Sequence, residues 1–232
     1  MTKYLFAPPE VPSMAIHGCA ERFPIRRIFC IGRNYEDHAK EMGLTVERDS
    51  PFFFTKDAIN HIPSGSTIPY PPGTADYQHE MELVVGIGKA GFRIAEAQSL
   101  AHVYGYACGL DMTRRDLQKA AREKRLPWDV SKDFENSAVL SEMMPAAEIG
   151  HPGKGRIELK VNGNVKQSGD LSQLIHPVPA IIAHLSRLYH LQPGDLIFTG
   201  TPAGVGPVIA GDFIEGMIEG VGTITLNIAA AE

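Results

Sequence analysis

The apolar residues of this chain come in short runs, and glycine or proline closes or opens most of them. RRIFCI stops at Gly32, PFFFT starts at Pro51, and EMELVVGI and YGYACGL carry glycine inside. With 23 glycines and 17 prolines in 232 residues, the chain turns often, and short strands are its natural elements. Such punctuation excludes a coiled coil, a collagen-like fibre and a disordered tract. No stretch of 18 apolar residues occurs, so no membrane-spanning helix is expected. The formal charge of −5 argues against a nucleic-acid partner.

Around these runs the reading is α+β. Residues 1–25 are Pro-rich and aperiodic and read as an extended N-terminal arm, with one domain over 26–232. Strands are expected at Arg26–Ile31, Pro51–Thr55 (buried), Glu80–Ile87, Tyr104–Leu110 and Leu196–Thr199, and short antiparallel strands over Asp212–Asn227. Gly105 and Gly109 read as bends. Asn162-Gly163 between two β patterns signals a hairpin. Helices are expected at Tyr35–Met42 capped by Asn34, Ala95–Val103, Thr113–Lys124 capped by Thr113, and Val178–Tyr189. Cys19, Cys30 and Cys108 have no metal-ligand spacing. They read as free buried thiols of a reducing compartment, and no signal-peptide core precedes the first strand, so a cytoplasmic location is expected.

Three carboxylates carry the chemistry. Glu80 and Glu82 lie two apart in a strand pattern and so project to one face, with His79 on the other face as packing. Two like charges on one face need a cation between them, or a solvated edge strand. Asp111 closes a buried-looking run and supplies a third carboxylate. An all-oxygen set suits Mg2+, Mn2+ or Ca2+ better than Zn2+. Arg115 and Gln118, three apart on the helix that follows, share a face and could bind a carboxylate or keto oxygen, or simply be solvated. His38 and Glu41 are spaced for an oriented imidazole able to activate water, or for a surface pair. Lys132, in a non-helical stretch, could polarise a carbonyl. The Gly/Thr loop Thr199–Gly206 lacks the ending of a phosphate-binding loop, but its hydroxyls and amides could hold a carboxylate.

In order, GRNYEDHAKEMG, PFFFTKDA, HEMEL, GYACGLDMTRRDLQ, WDVSKDF, VNG and GDLIFTGTPAGVGPV resemble the fumarylacetoacetate hydrolase superfamily from about Arg26 onward. The resemblance implies a mixed β-strand sandwich or roll with a few short helices, usually dimeric, and a Mg2+ or Mn2+ site. It places the metal on Glu80, Glu82 and Asp111, the catalytic lysine on Lys132, and the His–Glu dyad on His38 and Glu41. Substrate contacts fall on Arg115, Gln118, Thr201 and Lys56. Where many relatives read F-x-K-P, this chain has Lys56-Asp57. The implied substrate is an acylpyruvate, a 2,4-diketo acid, with fumarylpyruvate cleaved to fumarate and pyruvate as the leading expectation. Oxaloacetate decarboxylation and isomerisation or hydration of related acids are the alternatives within the superfamily. A non-catalytic metal-binding protein is the alternative outside it, and would keep Lys132 and His38 far from the carboxylates.

Overall fold

The computed structural model describes residues 3–43 and 50–232. It is an α+β fold built on two large mixed sheets. The first runs in the order Phe52–Lys56, Arg27–Gly32, Asp195–Phe198, Met81–Ile87, Val103–Asp111, Ala138–Leu140 and His61–Pro63, with Met144–Pro145 also paired to Val103–Asp111. The second runs Asn164–Asp170, Arg156–Val161, Phe213–Ile218, Gly222–Ala229 and Ser66–Pro69. A small sheet of Thr113–Arg114, Tyr77–His79 and Gly206–Pro207 lies beside the site. No helix among the described residues is long and apolar enough to cross a membrane.

Alternation along two central strands sets everything else. Met81, Leu83, Val85 and Ile87 join the main core cluster with Leu159, Ile214 and Ile224 of the second sheet. Val84 and Ala107 belong to a second cluster on the other face, with Ile28, Cys30 and Phe198. Successive side chains of a strand point to opposite faces. Glu82 therefore shares the face of Val84, and Asp111 that of Ala107. Both strands are buried throughout their middle, so any charge placed there needs a partner.

Several expectations change in detail. Asn34 does not cap the first helix, Glu36–Glu41; Tyr35 holds that position without a side-chain bond. The Asn34 amide instead donates to the carbonyls of His176 (3.0 Å) and Thr199 (2.8 Å) and accepts from the His176 N–H (2.7 Å). Thr113 likewise caps nothing: its hydroxyl is held by Lys132 and the Asp111 carbonyl, and helix Arg115–Glu123 starts after Arg114. Residues Glu96–His102 form a 3-10 helix rather than an α-helix. Lys132 ends a one-turn helix, Asp129–Lys132, where an irregular stretch was expected. Strand Phe52–Lys56 lies at a sheet edge with Phe52 exposed, not buried throughout.

Gly109 marks a close approach rather than a bend. A Cβ there would sit 2.5 Å from Val84 Cγ2 and 2.6 Å from Phe198 Cε1. Within the segment expected as an arm, Ser13–Ala15 pairs with Arg22–Pro24, and Met14, Ile16, Phe23 and Ile25 are buried. Cys19 is exposed, whereas Cys30 and Cys108 are buried; none is bonded to another. The hairpin holds, with Asn162 and Gly163 both at positive φ, as a two-residue turn between right-twisted strands needs.

Asn34 thus ties three segments together from a fully buried position. Asn34→Ala should lower the unfolding free energy by about 2–4 kcal/mol, because buried donors and acceptors lose their partners. Chemical denaturation checks this; a change under about 0.5 kcal/mol contradicts the assigned role.

Candidate active site

Strand register brings the acids together. Met81 pairs with Leu110 and Glu82 with Gly109, so Glu80 faces Asp111 one step further, where the Asp111 N–H donates to the Glu80 carbonyl at 2.9 Å. Glu80 itself lies between strands Tyr77–His79 and Met81–Ile87 rather than within one. One carboxylate oxygen from each of Glu80, Glu82 and Asp111 lies within 4.8 Å of the others, and all three residues are buried.

Three cations answer this charge. Lys132 Nζ donates to Glu80 Oε2 (2.7 Å), Asp111 Oδ2 (2.9 Å) and Thr113 Oγ1 (2.7 Å). Arg115 reaches Glu80 with one terminal nitrogen, Gln118 Oε1 with the other (2.7 Å), and Gln78 Oε1 through Nε (2.9 Å). Lys56 Nζ pairs with Asp111 Oδ1 at 2.9 Å and donates to the Met112 and Lys132 carbonyls.

Lys56, expected as a substrate contact, lies against Asp111. Its side chain is fully buried, and the cavity wall does not include it. It holds Asp111 and the backbone of Lys132 from behind. The neighbouring Asp57 accounts for the departure from F-x-K-P: its N–H donates to Asp133 at 2.8 Å, a bond proline cannot make.

The other expected residues gather around one cavity. His38, Glu80, Glu82, Asp111, Arg115, Gln118, Lys132 and Thr201 all line it. Glu41 stands behind His38, 3.2 Å from its Nδ1, and accepts from the Gly204 N–H. The Gly/Thr loop does hold carboxylates, and they are the protein's own: Gly200 N–H donates to Glu82 at 2.6 Å, and Gly204 to Glu41 at 3.1 Å. Gly204 sits at φ +97°, and a Cβ there would lie 2.0 Å from the Lys166 carbonyl. Thr201 Oγ1 accepts from Gln167 Nε2 at 2.7 Å, which leaves its hydroxyl hydrogen able to donate elsewhere. His79 packs as expected, against Gln167.

Gln167 and Gln78 support the site without having been singled out. Only the fold could reveal them, since each acts across long sequence separation.

Charge is unequally shared. Burial pushes the Glu80 carboxyl up, but Lys132 and Arg115 outweigh it and hold the group well below the usual carboxylate range. Glu82 has no such partner. Burial first, then Asp111 and Glu80, push its carboxyl well above that range, against the Gly200 hydrogen bond and the charge of Lys132. Burial opposes the charge of Lys132, yet Asp111 and Glu80 keep it raised. The bond from His38 lowers Glu41.

Hard oxygen donors converging in a buried site with one under-neutralised carboxylate fit a divalent cation of the Mg2+ or Mn2+ type.

Residues 27–229 match the family model described as fumarylacetoacetate (FAA) hydrolase C-terminal, and the chain belongs to that family. Among curated relatives, a fumarylpyruvate hydrolase of Ralstonia sp is 52% identical over 193 residues, covering 82% of this chain and 100% of that protein. A mitochondrial oxaloacetate tautomerase of Mus musculus is 42% identical over 207 residues, 89% of this chain and 93% of that protein. The crystal structure of fumarylpyruvate hydrolase from Pseudomonas aeruginosa in complex with Mn2+ and pyruvate is 46% identical. It covers 98% of this chain and 100% of its own, with a TM-score of 0.95.

A raised Glu82 carboxyl keeps its proton to higher pH than an ordinary carboxylate, and it must be ionised to ligate. Cation binding should therefore release a proton, and affinity should rise with pH and fall as pH drops. Calorimetry of Mn2+ binding in buffers of different ionisation enthalpy measures this. Pairing without proton release, at an affinity independent of pH, contradicts it.

Proposed function

We propose that this protein is a metal-dependent hydrolase that cleaves the C3–C4 bond of an acylpyruvate. Fumarylpyruvate, giving fumarate and pyruvate in aromatic (gentisate) degradation, is the substrate that fits best. One observation carries the reading: the acidic trio, Lys132 and His38 with Glu41 behind it all meet at one cavity. A purely metal-binding protein has no need of that meeting. The similarity to fumarylpyruvate hydrolases in both sequence and structure supports the choice of substrate.

Glu80, Glu82 and Asp111 would hold Mg2+ or Mn2+, which when bound supplies positive charge for the oxygens of the pyruvate half as negative charge builds there. His38 takes a proton from water, with Glu41 orienting the imidazole and stabilising its protonated form. The resulting hydroxide attacks the C4 carbonyl. Lys132 lies against that wall, and its charge opposes the developing oxyanion's cost; a direct hydrogen bond requires it to exchange one of its three present acceptors. The C3–C4 electron pair then passes to C3, which is protonated to give pyruvate, and the acyl half leaves as the acid. Arg115, Gln118 and Thr201 hold the keto-acid end by hydrogen bonds to its oxygens.

The His38–Glu41 pair favours water attack over decarboxylation or tautomerisation, since neither of those needs a base for water. Catalysis is assigned to residues 26–232, because every site residue falls within it, with 1–25 as an appendage. Exposed Tyr4, Leu5, Phe6 and Val11 support a homodimer, and unpaired Cys19, Cys30 and Cys108 support a cytoplasmic location.

Loss of acylpyruvate absorbance, with and without EDTA, tests the activity. His38→Ala should lower kcat by roughly 10²–10⁴-fold while Mn2+ affinity stays near that of the wild type. An unchanged kcat removes His38 from the base role. Asp111→Ala should abolish both Mn2+ binding and turnover; full activity of that variant after EDTA treatment contradicts the metal role.

A further inference from the structure

Three cations of the cavity wall have no part in the reaction above. Arg33, Lys119 and Arg122 line the same cavity as the acidic trio. Lys132, Arg115 and Lys56 already answer Glu80 and Asp111, and among the described residues none of these three further cations makes an ion pair. Arg122 has one long contact, 3.5 Å from its guanidinium to the Met42 carbonyl.

Arg33 stands out further. The chain leaves strand Arg27–Gly32 and takes Arg33 through φ +60°, a left-handed conformation that costs a non-glycine residue about 1 kcal/mol or more. Its guanidinium rests 5.2 Å over the Phe52 ring, and its Nε is buried without any hydrogen-bond partner. A buried, unpaired guanidinium donor in a cavity wall calls for an acceptor from outside the chain.

We propose that Arg33 and Arg122, with Lys119 at the rim, form a second anion subsite that binds a carboxylate at the far end of the acyl chain. The site would thereby select dicarboxylic acylpyruvates over those with a neutral tail. Helix geometry supports the spacing. Lys119 follows Arg115 by four residues and Arg122 follows Gln118 by four, so both lie one turn, about 5.4 Å, beyond the pair assigned to the keto-acid end. Phe54 and Trp128 line the same cavity and offer flat faces to an unsaturated segment between the two anionic ends. The inference rests on the acylpyruvate reading and adds the nature of the tail.

Two measurements separate the fates of the two ideas. The first is the ratio of kcat/KM for fumarylpyruvate to that for acetylpyruvate, taken on one preparation so that the folded fraction cancels. Arg33→Gln with Arg122→Gln should lower this ratio by roughly 10- to 100-fold, the loss of a charge-assisted contact. Arg33→Lys should retain most of it. An unchanged ratio overturns the subsite. The second is calorimetric binding of 2-oxoheptanedioate against 2-oxoheptanoate, which share a chain length and cannot be cleaved for want of a 4-keto group. The wild type should prefer the diacid, and the double variant should not. If the wild type cleaves neither acylpyruvate but keeps that preference, the hydrolase reading fails and the subsite stands. Equal binding of the two acids overturns the subsite whatever the turnover.

Discussion

Three carboxylates held within 4.8 Å of one another in a buried site cannot coexist as bare charges. The fold is arranged around this cost. Lys132 and Lys56 approach Asp111 through different oxygens, Arg115 and Lys132 divide Glu80 in the same way, and backbone amides of a glycine loop take Glu82 and Glu41. Each cation comes from a different element, so the cluster joins strand Phe52–Lys56, helix Arg115–Glu123 and the turn Asp129–Lys132 to the two central strands. Removing Asp111 leaves the buried Lys56 with no carboxylate, an outcome costlier than the pair is worth when intact. Glu82 is the member left without a cation, and that imbalance is what prepares the site for a divalent ion.

Much of this was legible in the chain. Period-two alternation placed the central strands within a residue or two, and it put Glu82 on one face for the right reason. Glu80 reached the same place by a different route, as the residue between two strands, with its direction set by the pairing of Glu80 and Asp111 backbones. Local capping rules failed at Asn34 and Thr113, because both side chains are claimed by distant segments: the carbonyls of His176 and Thr199 for one, Lys132 for the other. Tertiary demand outbid a local preference worth about 1 kcal/mol. The setting of Lys56 was hidden for a related reason. A lysine beside a catalytic block reads as a substrate contact, and only the packing of strand Phe52–Lys56 against Asp111 turns it inward.

The relatives are named for different reactions. Proteins named for C–C bond hydrolysis and for tautomerisation of oxaloacetate share at least two-fifths of their residues with this chain over most of its length. A 2-oxo acid held against a cation suits both reactions. Hydrolysis asks two things more of the cavity: a base for water, and contacts for the part of the substrate beyond the keto acid. In the proposed reaction the first falls to the His38–Glu41 pair, and in the proposed subsite the second falls to the wall that includes Phe54, Trp128, Arg33 and Arg122.

The account stands or falls on where a divalent ion sits. Crystals soaked in Mn2+ and measured at the manganese absorption edge should give one strong anomalous peak per chain, within bonding distance of oxygens from Glu80, Glu82 and Asp111. A map with no peak among those three carboxylates, or with the manganese held only elsewhere on the chain, would contradict it.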